Sequence, residues 1–356
     1  MQKRMKVVVA IDAFKGCLRS MEANHAAAEG VRRAHPEANI CEVAVSDGGE
    51  GFIDAMAMKG GELKSVNVHD PLMREVRAQY LLQGKTAVIE AAEACGLWRL
   101  KPEERNPLVA TSYGVGEIVA DAVRSGAKTI IVGLGGSGTS DAGQGMLEGV
   151  LGTKSKNPCP DISSILQGDK IRVIIATDVE NPLCGKNGAA HVFGPQKGAT
   201  AEMVEELDKR AKDFAETAAR EMGFDCSEQS GAGAAGGLGY AFMQFLHAER
   251  RSGIDIVAET IGLDTLTADA DLVITGEGSA DRQTLMGKLP MGILRHSGST
   301  PVILIAGRVS DREELQGAGF AEVVCINPPG LPMEEALRPE TAKENIRKTV
   351  YKLISE

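Results

Sequence analysis

A chain of 356 residues is long for one hydrophobic core, and the length points to about two domains. Its 43% hydrophobic and 25% charged content is that of a globular protein, while aromatics at 4% leave the core to Val, Ile, Leu, Ala and Met. A formal net charge of −10 argues against binding nucleic acid or an anionic membrane through basic surface, and any anionic ligand must be held by local cations and N–H groups.

The N-terminal stretch MQKRMKVVVAID has too short an apolar run for a secretion signal, and no run reaches membrane-spanning length, so a cytoplasmic protein is expected. KVVVAI, residues 6–11, predicts a strand buried on both faces. The loop DAFKGCLR follows, with Ser20 placed to cap an Ala-rich helix that ends near His35–Pro36. ICEVAV predicts a second buried strand, and SDGGEG turns into the helix FIDAMAM. This repeated strand–loop–helix order opens a parallel α/β layer.

The texture then changes. Between Arg74 and Leu82 the apolar residues Val76, Ala78, Tyr80 and Leu82 alternate with mostly polar ones, as in a half-exposed strand. With VNVH before it and TAVIEA after it, an antiparallel set is expected, and a domain boundary near Asn67–Asp70. Helix and strand alternate again from there: a helix near Gly114–Arg124, the strand TIIVGLG, a helix after Asp141, and the strand IRVIIATD. Beyond a long loop, Thr200 caps a helix whose Val204, Leu207, Ala211, Phe214, Ala218 and Met222 follow helical spacing. A helix through YAFMQFLHAE, the strand DLVITG, a helix near Pro290–His296, the strands PVILIAG and AEVVCIN and a last helix complete the chain. No repeat or low-complexity linker interrupts it, which suits an inserted domain.

Seven scattered cysteines without a CxxC pair suit reduced thiols, and six dispersed histidines give no transition-metal spacing. Acid–base chemistry therefore falls to carboxylates. Three glycine-rich segments stand out: Gly133–Gly145, Gly231–Gly239 and the run ITGEGSADRQTLMGK from Ile274 to Lys288. Such turns bring N–H groups to phosphate oxygens, although small residues also permit close packing. GLGGSG matches G-x-G-x-x-G, but the region where a dinucleotide site needs an acid, KSKNPCPDISS, predicts only loop. Asp12, Asp47, Asp141, Asp178 and Glu277 each end or follow a predicted buried strand, with Asp281 just beyond. Carboxylates at that edge, beside glycine loops and with Lys15, Lys197 and Lys288 in the same motifs, form the parts list of phosphoryl transfer.

The motifs DAFKGCLRS, SDGGEGF, ERNPLVATSYGVGE, GLGGSGTSDAGQGML, TDVENPLCG, GAAHVFGPQKGAT, GAGAAGGLG and DLVITGEGSADRQTLMGK stand in an order and spacing that resembles the bacterial class I glycerate kinases, from about Ile11 to Ala306. The resemblance implies ATP-dependent phosphorylation of D-glycerate to 2-phosphoglycerate or 3-phosphoglycerate, with Mg²⁺ and release of ADP. It implies an α/β protein of two domains with the active site in the cleft between them. Residues 1–67 and 286–356 would form a flavodoxin-like parallel-sheet domain from both chain ends, and 68–285 an inserted mixed α/β domain. Two departures are visible: Gly138, Ser140 and Ala142 replace residues common in the family, and Ser279 stands where many members carry Arg, with Arg282 expected to stand in.

On this reading Asp47 or Asp281 is the base, with Lys15 beside them in the catalytic group. Gly48, Gly49, Glu50, Gly135, Gly136, Ser137, Thr139, Lys197, Glu277, Arg282 and Lys288 hold substrate and phosphates, and Asp141 and Asp178 place Mg²⁺ or its waters. Two other classes stay open: an NAD(P)-dependent oxidoreductase of small hydroxy acids, and a catalytically silent nucleotide- or metabolite-binding regulator. Oligomeric state and the position phosphorylated are not encoded in any motif.

Overall fold

The computed structural model describes residues 4–155, 157, 159–162 and 171–355, so the loop expected in KSKNPCPDISS lies partly outside the described residues. The chain forms two units. One comprises Met1–Asp47, Asp54–Lys59 and Ile254–Glu356, the other Gly48–Ile53 and Gly60–Gly253.

The first unit is built on five strands, β1 (Lys6–Ile11), β2 (Asn39–Glu42), β9 (Leu272–Ala280), β10 (Val302–Val309) and β11 (Glu322–Cys325). They lie in the order β11-β10-β9-β1-β2, every pair parallel. Counted within the unit this is the doubly wound order 2-1-3-4-5, whose direction reverses between β1 and β9. Val7 to Ile11 have no exposure, as a strand covered on both faces requires. One cover is the helix Ser20–Ala34, packed on the C-terminal helix Pro339–Ser355 through Ala23, Ala27, Val31, Ile346 and Val350. Gly30 permits that approach, since a Cβ there would lie 2.6 Å from the Arg347 carbonyl oxygen. Ser20 starts its helix but does not cap it. Its buried hydroxyl donates to the Ile11 carbonyl at 2.6 Å, and Glu22 accepts from the Arg19 N–H instead.

The second unit holds β3 (Glu62–His69), β4 (Glu75–Gln83), β5 (Thr86–Glu90), β6 (Thr129–Gly133), β7 (Arg172–Ala176) and β8 (Glu249–Arg251), in sequential order. β3, β4 and β5 pair antiparallel, and β5 to β8 run parallel. Tyr80, Ile89, Ile118, Ile130, Met146 and Phe242 are fully buried in its core. The helix Ala201–Met222 lays Val204, Leu207, Ala211, Phe214 and Ala218 inward, with Thr200 Oγ1 accepting from the Met203 N–H.

The domain boundaries shift from those expected. VNVH belongs to β3, registered along its length with β4, so the second unit, which also includes Gly48–Ile53, holds the chain from Gly60 onward rather than from 68. ITGEG belongs to β9, held between β1 and β10, so the first unit resumes at Ile254 rather than at 286. Hydrogen bonding within each sheet assigns β3 to the second unit and β9 to the first. Among the described residues no helix is long and apolar enough to cross a membrane.

Candidate active site

In the first unit, acids gather at the carboxyl edge of the parallel sheet, where the strand order reverses. Asp12 directly follows β1 and Glu277 lies within β9, while Asp47 follows the segment after β2. Burial and then the neighbouring Asp47 charge hold the Asp12 carboxyl well above the usual carboxylate range; Lys15 and the Ala13 N–H, which donates to Asp12 Oδ1 at 2.8 Å, oppose this only in part. Burial also raises Glu277, against the Thr284 hydroxyl, which donates to its Oε1 at 2.5 Å, and the Lys288 ammonium 3.6 Å from its Oε2.

The DRQT segment explains the placement of Asp281. Its carboxylate accepts from the Gln283 N–H at 2.9 Å while its own N–H donates to Thr284 Oγ1 at 3.1 Å, capping the short helix Arg282–Leu285. Lys288 Nζ lies 3.7 Å from Asp281 Oδ1, so this lysine is shared by two carboxylates. Arg282 does not join them. Its guanidinium is paired in a fork with Glu314 on the exposed surface, and it does not stand in at position 279. Arg308 of β10 is the residue registered with Ser279.

In the second unit the glycine loop after β6 is braced from several directions. Gly135 donates its N–H to the Gly48 carbonyl, Gly138 to Cys95, and Ala142 to Gly236. Lys197, 3% exposed, donates from Nζ to Ser137 Oγ at 3.0 Å and to the Thr139 carbonyl at 2.6 Å. Burial drives its ammonium down to about 8, opposed by Cys95 and Asp141, while burial and the Asp141 charge push the Cys95 thiol up to about 12. Among the described residues, the N–H groups of Gly136 and Ser137 meet no protein acceptor.

Asp141 sits at the end of this loop, and both its oxygens are engaged. They accept from the Ser112 N–H and hydroxyl at 2.7 and 2.9 Å, from Thr111 Oγ1, and from the N–H groups of Gly143 and Gly145. Asp178 follows Thr177 at the end of β7 and is partly exposed. Among the described residues no group of three or more His, Cys, Asp or Glu side chains is arranged to hold a metal ion.

The glycines of SDGG serve packing first. A Cβ on Gly48 would lie 2.5 Å from the Ala176 carbonyl oxygen, and one on Gly135 would lie 2.3 Å from Gly49 Cα. GAGAAGGLG does the same against the loop's far end, where a Cβ on Gly236 would lie 2.0 Å from the Thr139 carbonyl oxygen. Glu50 is exposed in the SDGGEG turn.

The structure thus draws Asp12, Asp47, Lys15, Glu277, Asp281 and Lys288 to one sheet edge, and Gly135, Gly136, Ser137, Thr139 and Lys197 to one loop. Asp12 was visible in the sequence as an acid ending a buried strand, yet nothing local separates it from a cap.

Residues 7–356 match the model of the glycerate kinase family. The chain is 39% identical to a glycerate kinase of Bacillus subtilis strain 168, over 97% of this chain and 96% of that one. It is 42% identical to a glycerate 2-kinase of Escherichia coli K12, over 86% of each. The crystal structure of a glycerate kinase 2 from Salmonella typhimurium LT2 superposes with a TM-score of 0.79 at 38% identity, covering 99% of this chain and 98% of that one. The chain belongs to the glycerate kinase family.

Proposed function

We propose that this kinase transfers the γ-phosphoryl group of ATP to a hydroxyl of D-glycerate. The observation that carries the reading is Asp12 at the end of β1, where the strand order reverses, with Asp47 and Lys15 near enough to act on its charge. Burial, and then the Asp47 charge, raise its carboxyl, so it retains affinity for a proton, as a base for an alcohol must. This moves the role from the expected Asp47 or Asp281, since Asp281 is engaged in its helix cap and with Lys288.

Gly136 and Ser137 are assigned to phosphate oxygens through their N–H groups, with Lys197 holding the loop in place from behind rather than touching phosphate. Mg²⁺, when bound, would neutralise phosphate charge. It needs only one or two carboxylates beside the phosphates; Asp141 and Asp178 are assigned that part, with four of the hydrogen bonds to Asp141 directed at Oδ2 and one at Oδ1.

A coupled assay for ADP tests the reading against the two other classes. ADP formation that requires D-glycerate is the expected outcome. A change in nicotinamide absorbance without nucleotide consumption, or ligand binding without turnover, would each overturn it.

A further inference from the structure

We propose that Arg308 binds the carboxylate of the three-carbon acid substrate. Parallel strands β9 and β10 set Glu277 beside Ala306 and Ser279 beside Arg308. Paired residues of neighbouring strands project to the same face, and so do residues two apart. Arg308, Ser279 and Glu277 therefore share one face at the carboxyl edge, and Lys288 reaches Glu277 there.

The charges on this face do not balance without Arg308. Glu277 and Asp281 stand against the ammonium of Lys288, which both already engage, while Lys15 acts on Asp12 beside Asp47. An incoming carboxylate would meet a net negative field, and Arg282 is turned away to Glu314. Among the described residues Arg308 forms no ion pair and no side-chain hydrogen bond, and it is exposed. Its guanidinium presents the fork that matches a carboxylate with two parallel hydrogen bonds. Its Cα is fixed by strand pairing rather than carried on a loop, which places the fork reproducibly.

The substrate carboxylate is unchanged by phosphoryl transfer, so this contact contributes equally before and in the transition state. The inference rests on the proposed acceptor, and the experiment separates the two. KM for D-glycerate, KM for ATP and kcat are measured for the native enzyme, Arg308→Gln and Arg308→Lys, and again with the neutral amide of glycerate as acceptor. Arg308→Gln is expected to raise KM for glycerate about 10- to 100-fold, the usual effect of losing a hydrogen bond to a charged group. KM for ATP and kcat should hold, Arg308→Lys should fall between, and turnover of the amide should be unaffected. Native enzyme that turns over glycerate while Arg308→Gln keeps its KM overturns the assignment of Arg308 alone. A fall in kcat at constant KM also overturns it, by placing the guanidinium on the phosphoryl group. Native enzyme that leaves glycerate unphosphorylated overturns the acceptor reading instead.

Discussion

Asp12 shows how one residue's chemistry depends on neighbours far along the chain. Its raised proton affinity comes from burial and from Asp47, which the sequence places beyond an intervening helix and strand. The pH dependence follows with a definite sign. A carboxyl whose folded value lies above its unfolded one favours folding in its protonated form, and that contribution is lost as pH rises through the folded value. Glu277 moves the same way. Asp12→Asn keeps an acceptor for the Ala13 N–H while removing the charge, so its thermal midpoint at pH 8 should exceed the native one. A higher midpoint is expected, by about 2–4 °C for each kcal/mol that the buried charge costs. The gain should vanish below about pH 4, where both proteins are neutral at this position. Calorimetry across that range checks it, and a lower midpoint for the variant at pH 8 would show that Asp12 is held by a cation instead.

Strands and their pleat were legible in the sequence wherever burial set the pattern. KVVVAI, the alternating segment around Tyr80 and the apolar stripe of Ala201–Met222 all fold as their periodicities require. Loops were less legible, because their glycines answer to partners that local sequence does not show. SDGG and GLGG each look like a phosphate-binding turn alone, yet Gly48, Gly49, Gly133 and Gly135 press backbone against backbone. Arg282 is held by Glu314, since proximity in sequence to Ser279 says nothing of register, whereas β9–β10 pairing puts Arg308 at its side. Packing at the glycine loop gives a direct expectation. In Gly135→Ala the new methyl meets Gly49 Cα at 2.3 Å, and no side-chain rotation relieves it. A loss of about 1–3 kcal/mol is expected in denaturant unfolding, the usual cost of overpacking. Gly317→Ala, at the end of a helix with open space around it, should be neutral or stabilising, and equal effects of the two changes would show that the close approach carries no energy.

Over the whole molecule, the family and the α/β class were legible from motif order, but the limits of the two units were not. A boundary is where pairing partners change, and β3 and β9 each find theirs outside the motif that contains them. The same pairing returns the acids of the two chain ends to one sheet, so residues near position 12 and near position 280 act in one unit. The chain carries a formal net charge of −10, and Lys15 and Arg308 are cations that stand at that edge beside its carboxylates. The proposed reaction is phosphoryl transfer to glycerate with Asp12 as the base. Rapid-quench single turnover with γ-labelled ATP and saturating D-glycerate tests it most directly, in the native enzyme and in Asp12→Asn. Label is expected to pass to phosphoglycerate in the native enzyme, and the rate is expected to fall on the order of 10²–10⁴ in the variant with glycerate binding kept. Transfer at the native rate in Asp12→Asn would remove Asp12 as the base, and label appearing only as inorganic phosphate in the native enzyme would exclude glycerate as the acceptor.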